Sequence, residues 1–172
     1  ELTNYIEFQN EMNRLSKIEY HSYKETMKEI GIAYLGECNH STKLTHNGEK
    51  NMLTYGIYLA SSDASNINVC PKSKMCRESC LVGSGYAKID ALSHNNKVLN
   101  ARIIKTRLFF ANKNLFMKLM IKEINRAINK AKRLGMEFSV RLNCTSDINP
   151  TVFMYEGKNI LELYPNISFY DY

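Results

Sequence analysis

The sequence lacks any run of about 18 apolar residues, the length that a membrane-spanning helix requires. Its first residues, Glu-Leu-Thr-Asn, show no charged segment followed by an apolar one, so no secretion signal is predicted. Because position 1 is glutamate, we expect residues upstream of it to be missing. The five cysteines are an odd number, which argues against a disulfide framework. These absences predict a cytoplasmic protein with no membrane partner.

Several common catalytic motifs are also absent from the sequence. There is no G-x4-G-K-[ST] phosphate loop and no G-x-G-x-x-G dinucleotide fingerprint. No H-E-x-x-H zinc motif and no G-x-S-x-G nucleophile turn occurs either. The sequence therefore does not match the familiar signatures of nucleotide hydrolases, dinucleotide-dependent enzymes, zinc proteases or serine hydrolases.

What is present indicates one globular domain of mixed structure. The 172 residues are 44% hydrophobic and 23% charged, a balance typical of a folded chain with a core. Apolar spacing of three and four residues predicts helices, over 3–30, 96–111, 115–134 and 158–164. Within the first range, Ser22 and Glu25 form a candidate capping box and Gly31 a candidate helix stop. Apolar and aromatic enrichment predicts strands, over 52–60, 137–143 and 167–172.

The order of these elements predicts the topology. Strand, helices, strand, helix and strand in succession indicate an α/β fold whose parallel sheet is joined by right-handed crossover helices. Residues 1–50 form an N-terminal helical segment, followed from 36 by a polar loop, packed on an α/β domain of 51–172. A loop is predicted over 61–95. A loop of this length is uncommon in a compact domain unless it is functional or is held in place by other groups. The last strand is expected to be a sheet edge or the point where a longer chain was cut.

Three cysteines in that loop form a candidate metal centre. Cys70, Cys76 and Cys80 have the spacing C-x5-C-x3-C, and neighbouring lysines and an arginine favour thiolates. Zinc needs a fourth ligand, for which the candidates are Cys38, His40, His94 and Cys144. A [4Fe–4S] cluster could instead use three cysteines and leave one iron open. The alternative is that these residues are simple thiols in a loop.

Charge is concentrated in the second half of the chain. Residues 97–133 contain eleven Lys and Arg residues and a single acid, Glu123, whereas the whole chain has a net charge of +6. Four cations recur every fourth residue and form one stripe on the predicted second helix, with Arg133 close to it. The proposed nucleic-acid-binding residues are Arg102, Lys105, Arg107, Lys118, Lys122, Arg126, Lys130 and Arg133. No base-stacking aromatics are interleaved with them, and a merely solvated face is the alternative.

Polar residues follow the strand 137–143, where parallel α/β sheets place their ligands. We expect Arg141 to hold a phosphate or carboxylate and Asp147 to act as a base or hydroxyl acceptor. Asn143 and Ser146 would donate or accept hydrogen bonds, and Asp171 would lie at the same sheet edge. The alternative is that this segment caps the next turn.

Several short runs give the sequence a family resemblance: Cys70-Pro71, Cys76, Cys80-Leu81, Gly83-Ser84-Gly85, Ala101-Arg102, Lys105-Thr106, Arg141-Leu142-Asn143, Thr145-Ser146-Asp147-Ile148 and Phe169-Tyr170-Asp171-Tyr172. In these the chain resembles, over 51–172, uncharacterised bacteriophage proteins related to the gene product 88 family. The resemblance implies a divergent (β/α) barrel of the radical S-adenosylmethionine type, here a partial one. It makes the three cysteines cluster ligands and Arg141, Asn143, Ser146 and Asp147 pocket residues. Radical enzymes usually show C-x3-C-x2-C, and this spacing is wider.

Three functions follow as hypotheses. The first is a phage or mobile-element accessory protein, serving for example host takeover or counter-defence. It binds nucleic acid, with RNA or a host ribonucleoprotein favoured, through its basic face, and its cysteine-bound metal is structural. The alternative is an iron–sulfur enzyme that uses S-adenosylmethionine. A third and blander hypothesis is a protein-interaction module with an acidic partner.

Overall fold

The computed structural model of the chain describes residues 2–38, 51–71 and 96–171. The predicted N-terminal helix is two helices, α1 (Leu2–Ser16) and α2 (Tyr23–Ile30). The predicted start of α2 is confirmed, because the Ser22 hydroxyl accepts a hydrogen bond from the Glu25 backbone N–H. Its predicted end is confirmed at Gly31, whose φ of 92° is a left-handed conformation that glycine adopts without strain.

A short strand occupies part of the segment predicted to be a loop over 36–50. Strand β1 (Gly36–Cys38) pairs antiparallel with β2 (Met52–Ile57). The prediction was wrong for these three residues, because a strand this short contains too few positions to show alternation. Residues 39–50, which include the candidate ligand His40, lie outside the described ranges.

The main sheet has the order β1-β2-β3-β6, where β3 is Glu137–Arg141 and β6 is Ser168–Phe169. Strands β2, β3 and β6 run parallel to one another, whereas β1 pairs antiparallel with β2. The α/β class is therefore right and the sheet is mixed rather than purely parallel. The strands of the described ranges form an open sheet and not a closed barrel.

Two long helices lie between β2 and β3 in the chain: α3 (Lys97–Ala111) and α4 (Lys113–Leu134). Asn112 separates them, and its side chain accepts from the Leu115 N–H at the start of α4. The same side chain donates to the Ile18 carbonyl oxygen, which fixes the end of α1 against this junction. Helix α4 ends at Gly135, in a left-handed conformation as the sequence predicts.

The segment after β3 contains small elements. A 3-10 turn (Pro150–Val152) precedes a hairpin of β4 (Met154–Tyr155) and β5 (Lys158–Asn159). Helix α5 (Ile160–Leu163) confirms the helix predicted over 158–164, in shorter form. Asn159 and Glu162 form a capping box at its start, which compensates for its short length.

The core lies between α4 and the sheet. Phe116, Leu119 and Ile124 of α4 are fully buried, and Tyr55 and Val140 from the central strands complete the same cluster. Each large apolar side chain buried in this way stabilises the fold by about 1.5–3 kcal/mol. The exposed polar positions of α4 therefore point away from the sheet, which leaves its cations at the surface.

Candidate nucleic-acid interface

The cation stripe of α4 lies on its outer side. Lys122, Arg126 and Lys130 are exposed and Lys118 is half-buried, as expected for residues spaced by four on one helix face. Arg133 is also exposed and lies in the last turn of α4, where a cation interacts favourably with the helix dipole. We call the face formed by Lys118, Lys122, Arg126, Lys130 and Arg133 the basic face.

The single acid of this stretch, Glu123, is turned inward. It is 8% exposed, and both of its carboxylate oxygens accept hydrogen bonds. Oε1 accepts from the Tyr23 hydroxyl at 2.6 Å and the Leu35 N–H at 2.8 Å. Oε2 accepts from the Tyr55 hydroxyl at 2.5 Å and the Gly36 N–H at 2.8 Å. A buried carboxylate needs such donors, since an unpaired one is strongly disfavoured.

In the part of the chain that the structure describes, the cations of the basic face have no ion-pair partner. Four hydrogen bonds occupy Glu123, and within the described ranges no carboxylate lies within 4.0 Å of a cation of the basic face. Like charges at four-residue spacing repel one another and cost some helix stability. An external polyanion would relieve that repulsion.

Two tyrosines from the α2 region border the basic face. The Lys118 ammonium lies 4.4 Å and the Lys122 ammonium 5.3 Å from the ring centroid of Tyr20. The Arg126 guanidinium lies 4.2 Å from the ring centroid of Tyr23. The sequence analysis found no base-stacking aromatics interleaved with the cations. The fold brings these two rings beside them from a distant part of the sequence. Cation–π pairs of this kind hold both partners in place.

A cleft of about 330 Å³ opens beside the basic face, between α4 and β1. Arg126 and Lys130 line its outer part, while the tyrosines 23, 34 and 55 line its wall. The half-buried Cys38 also lines it; burial raises the pKa of this thiol, although the nearby Lys130 charge opposes the effect. The volume lies at the lower end of the range of small-molecule sites.

The three cations predicted on α3 have different environments. Arg102 is half-buried, with its guanidinium 5.3 Å from the ring centroid of Tyr58. Lys105 is 4% exposed, so it is not part of an open surface. Arg107 forms an ion pair with Glu11 of α1 and donates to the Ser65 carbonyl oxygen at 3.1 Å, which makes it a link within the fold. The three α3 cations are therefore not part of the basic face on α4.

The strand-end residues do come together at the carboxyl edge of β3. Asn143 donates to Asp171 Oδ2 at 2.7 Å and to the Ile148 carbonyl oxygen at 2.8 Å. Its Oδ1 accepts from the Ser146 hydroxyl at 2.8 Å and the Ile148 N–H at 3.0 Å. Asn143 therefore organises the turn that follows the strand, as the capping alternative requires.

Arg141 completes this group, which we call the strand-end cluster: Arg141, Asn143, Ser146 and Asp171. Arg141 is 7% exposed, and its Nε lies 3.9 Å from Asp171 Oδ1. Asp147, the expected base, has an exposed side chain, and its backbone N–H donates to the Val69 carbonyl oxygen at 2.9 Å. That bond places the backbone just before Cys70 at the same sheet edge as the cluster.

The structure describes only some of the predicted metal ligands. Cys70 is half-buried, whereas Cys76, Cys80 and His94 lie outside the described residues. Among the residues that are described, no group of three His, Cys, Asp or Glu side chains is placed to hold a metal ion. Cys144 is buried with its sulfur 3.7 Å from the Arg141 carbonyl oxygen. The metal centre therefore remains a prediction.

The fold and the site define an α/β protein with an open mixed sheet and an outward-facing basic helix. No helix in the described ranges combines the length and apolar character needed to cross a membrane. The family model for gene product 88 matches residues 33–172, so the chain belongs to the gene product 88 family, which is bacteriophage-related. No curated protein and no solved structure matches the sequence significantly.

Proposed function

We propose that this protein binds single-stranded nucleic acid, with RNA favoured, through the basic face. Such a role fits an accessory protein of a phage or mobile element. The observation that supports it most is the burial of Glu123, because the one acid of the stretch 97–133 is removed from the surface that carries the cations. The phosphate backbone is a polyanion that a row of cations can neutralise.

The tyrosines beside the basic face support a single-stranded ligand. Proteins that bind single strands combine a positive groove with aromatic rings on which bases stack. Tyr20 and Tyr23 are partly exposed, and each already packs against a cation of the basic face. A base that stacks here would extend an existing cation–ring pair. No base-edge recognition is proposed.

The test is fluorescence anisotropy of a labelled single-stranded RNA over a range of salt concentrations. The variant Lys122→Gln/Arg126→Gln/Lys130→Gln should bind more weakly, and the slope of log K against log salt should fall by about 2, since each phosphate contact contributes about 0.7. The matched control is Lys24→Gln/Lys28→Gln/Lys158→Gln, which removes the same charge at three exposed lysines outside the basic face. Equal losses in the two variants, or salt-independent binding, would refute the proposal. A DNA strand of the same sequence tests the preference for RNA.

A second candidate function, an iron–sulfur enzyme using S-adenosylmethionine, is favoured by one observation. The hydrogen bond from Asp147 N–H to the Val69 carbonyl oxygen brings the start of the cysteine segment to the edge that holds the strand-end cluster. If Cys70, Cys76 and Cys80 hold a cluster, Arg141 and Asp171 are the groups positioned to bind a substrate nearby. Anaerobically purified protein that absorbs at about 400 nm would favour this function, whereas colourless protein that co-purifies with nucleic acid would favour the first.

A further inference from the structure

A second, smaller pocket shares Tyr34 with the cleft beside the basic face. Its volume is about 220 Å³, and three cations line it: Lys97, Arg102 and Lys105. Glu37 is the one acid among its described lining residues, and the Tyr34 hydroxyl donates to that carboxylate at 3.3 Å. The pocket is therefore positive overall.

Lys105 is the unusual member of this group. It is 4% exposed, its ammonium lies 4.8 Å from the ring centroid of Tyr34, and within the described ranges no carboxylate lies within 4.0 Å of it. Burial lowers the pKa of Lys105, while the charges of Glu37 and Glu123 oppose that shift. Burying an ammonium without an ion-pair partner is costly, and a bound anion in the pocket would supply the partner.

The pocket runs along the N-terminal half of α3. Its three cations lie about one turn apart on that helix, which contains no acid in its first turn. Arg102 is held in place by Tyr58, so two of the three cations are fixed before any ligand arrives. Because these side chains are already ordered, they lose less conformational entropy when a ligand binds.

We propose that this pocket binds a phosphate monoester dianion. The volume is below the range of about 300–1,000 Å³ typical of larger small-molecule sites, so the pocket suits a phosphate with at most a sugar attached. It shares Tyr34 and Glu37 with the cleft beside the basic face. The phosphate belongs either to the end of a nucleic-acid strand or to a free nucleotide. The first source, but not the site itself, rests on the proposed function.

The experiment is isothermal titration of the protein with inorganic phosphate at constant ionic strength. Wild type should bind phosphate, and Lys105→Met should bind it at least about tenfold more weakly, since a hydrogen bond to a charged group is worth about 1.5–3 kcal/mol. Methionine keeps the volume of the lysine stem and removes the buried charge, so the thermal midpoint without phosphate should not fall. The matched control is Lys158→Met, an exposed lysine on β5, which should bind phosphate as wild type does. Arg102→Gln gives an independent second variant.

Two results would overturn the site: absence of phosphate binding by wild type, or unchanged binding by both Lys105→Met and Arg102→Gln. The source is found by comparing 5′-phosphorylated with 5′-hydroxyl RNA, and adenosine monophosphate with adenosine. If the phosphorylated RNA binds more tightly than the hydroxyl RNA, and Lys105→Met abolishes that difference, the ligand is the end of a strand. If only adenosine monophosphate binds more tightly than adenosine, the ligand is a free nucleotide. The triple variant of the basic face should still bind inorganic phosphate, so failure of RNA binding and failure of this site are separate outcomes.

Discussion

The carboxylate of Glu123 on α4 accepts a hydrogen bond of 2.5 Å from the hydroxyl of Tyr55 on β2, at the buried interface between helix and sheet. The two residues are 68 positions apart in the chain. Because the same carboxylate also accepts the backbone N–H groups of Leu35 and Gly36, it joins α4, β2 and the start of β1. The basic face therefore lies on a helix that a buried acid fixes to the sheet.

Replacing Glu123 with glutamine should destabilise the fold strongly. The amide NH2 would face a backbone N–H or a hydroxyl in place of an acceptor oxygen, so at least one buried donor loses its partner. We expect the free energy of unfolding in urea to fall by about 2–4 kcal/mol. Glu137→Gln, at an exposed position on β3, is the control and should change it by less than about 0.5 kcal/mol. A similar small change in both variants would contradict this role for Glu123.

Stability should fall at alkaline pH through two phenols, the buried Tyr55 and the half-buried Tyr23. Burial raises the pKa of Tyr55 and of Tyr23 above the ordinary value of 10.0, and Glu123 raises both further. The unfolded chain therefore loses these protons first as the pH rises. The stability that they contribute is complete below about pH 10 and is lost above it, by up to about 1.4 kcal/mol per pH unit for Tyr55. The loss is smaller for the half-buried Tyr23, because solvent screens its charge.

The measurement is urea unfolding at a series of pH values from neutral to about pH 11, compared between wild type and Tyr55→Phe. The phenylalanine variant should be less stable at neutral pH, and its stability should decline less steeply above about pH 10. Tyr5→Phe, at an exposed position of α1, should keep the wild-type slope. Parallel curves for wild type and Tyr55→Phe would show that Tyr55 does not titrate in this way.

Gly36→Ala should displace Tyr55. A methyl group at Gly36 would overlap the hydroxyl end of the Tyr55 ring, whose oxygen is already held by Glu123. Overpacking of this kind costs about 1–3 kcal/mol. The double variant Gly36→Ala/Tyr55→Leu makes room for the methyl group, so the added cost of Gly36→Ala should shrink in that background in a double-mutant cycle. Additive losses would show that the ring is not the obstacle.

Asn143→Ala should destabilise the strand-end cluster, because it removes the acceptor of the Ile148 N–H and the donor to Asp171 together. We expect a loss of about 1–3 kcal/mol in the free energy of unfolding. Asn166→Ala, an exposed residue, is the control. If the cluster serves only to hold the turn, nucleic-acid affinity should not change in the Asn143 variant. A loss of affinity without a loss of stability would assign the cluster to ligand binding instead.

Metal analysis of anaerobically purified protein tests the cysteine centre. We expect close to one equivalent of zinc or about four of iron per chain, and a loss of metal in the Cys70→Ser, Cys76→Ser and Cys80→Ser variants. Loss of zinc in Cys38→Ser or in Cys144→Ser would identify that residue as the fourth zinc ligand. Wild-type protein with less than about a tenth of an equivalent of each metal would exclude the centre.

Much of the helical structure could be predicted because its signals are local. Ser22 and Gly31 mark the ends of α2 through groups within a few residues, and the four-residue spacing of the cations places them on one side of α4. The short strand β1 could not be predicted, since three residues are too few to show an alternation of apolar and polar side chains. The apolar spacing runs through both α1 and α2, so within 3–30 the capping box at Ser22 is the signal that separates them.

The amino-acid sequence by itself determined the α/β class, the positions of the long helices and the density of positive charge, because these follow from periodicity, capping residues and composition. Tertiary structure decided which charges remain outside. Glu123 is inward because hydroxyl and N–H donors up to 100 positions away meet it, and Lys105 is buried although it lies in the same basic stretch. No local pattern reports such partners, since burial of a charge depends on donors and rings that only the folded chain brings together.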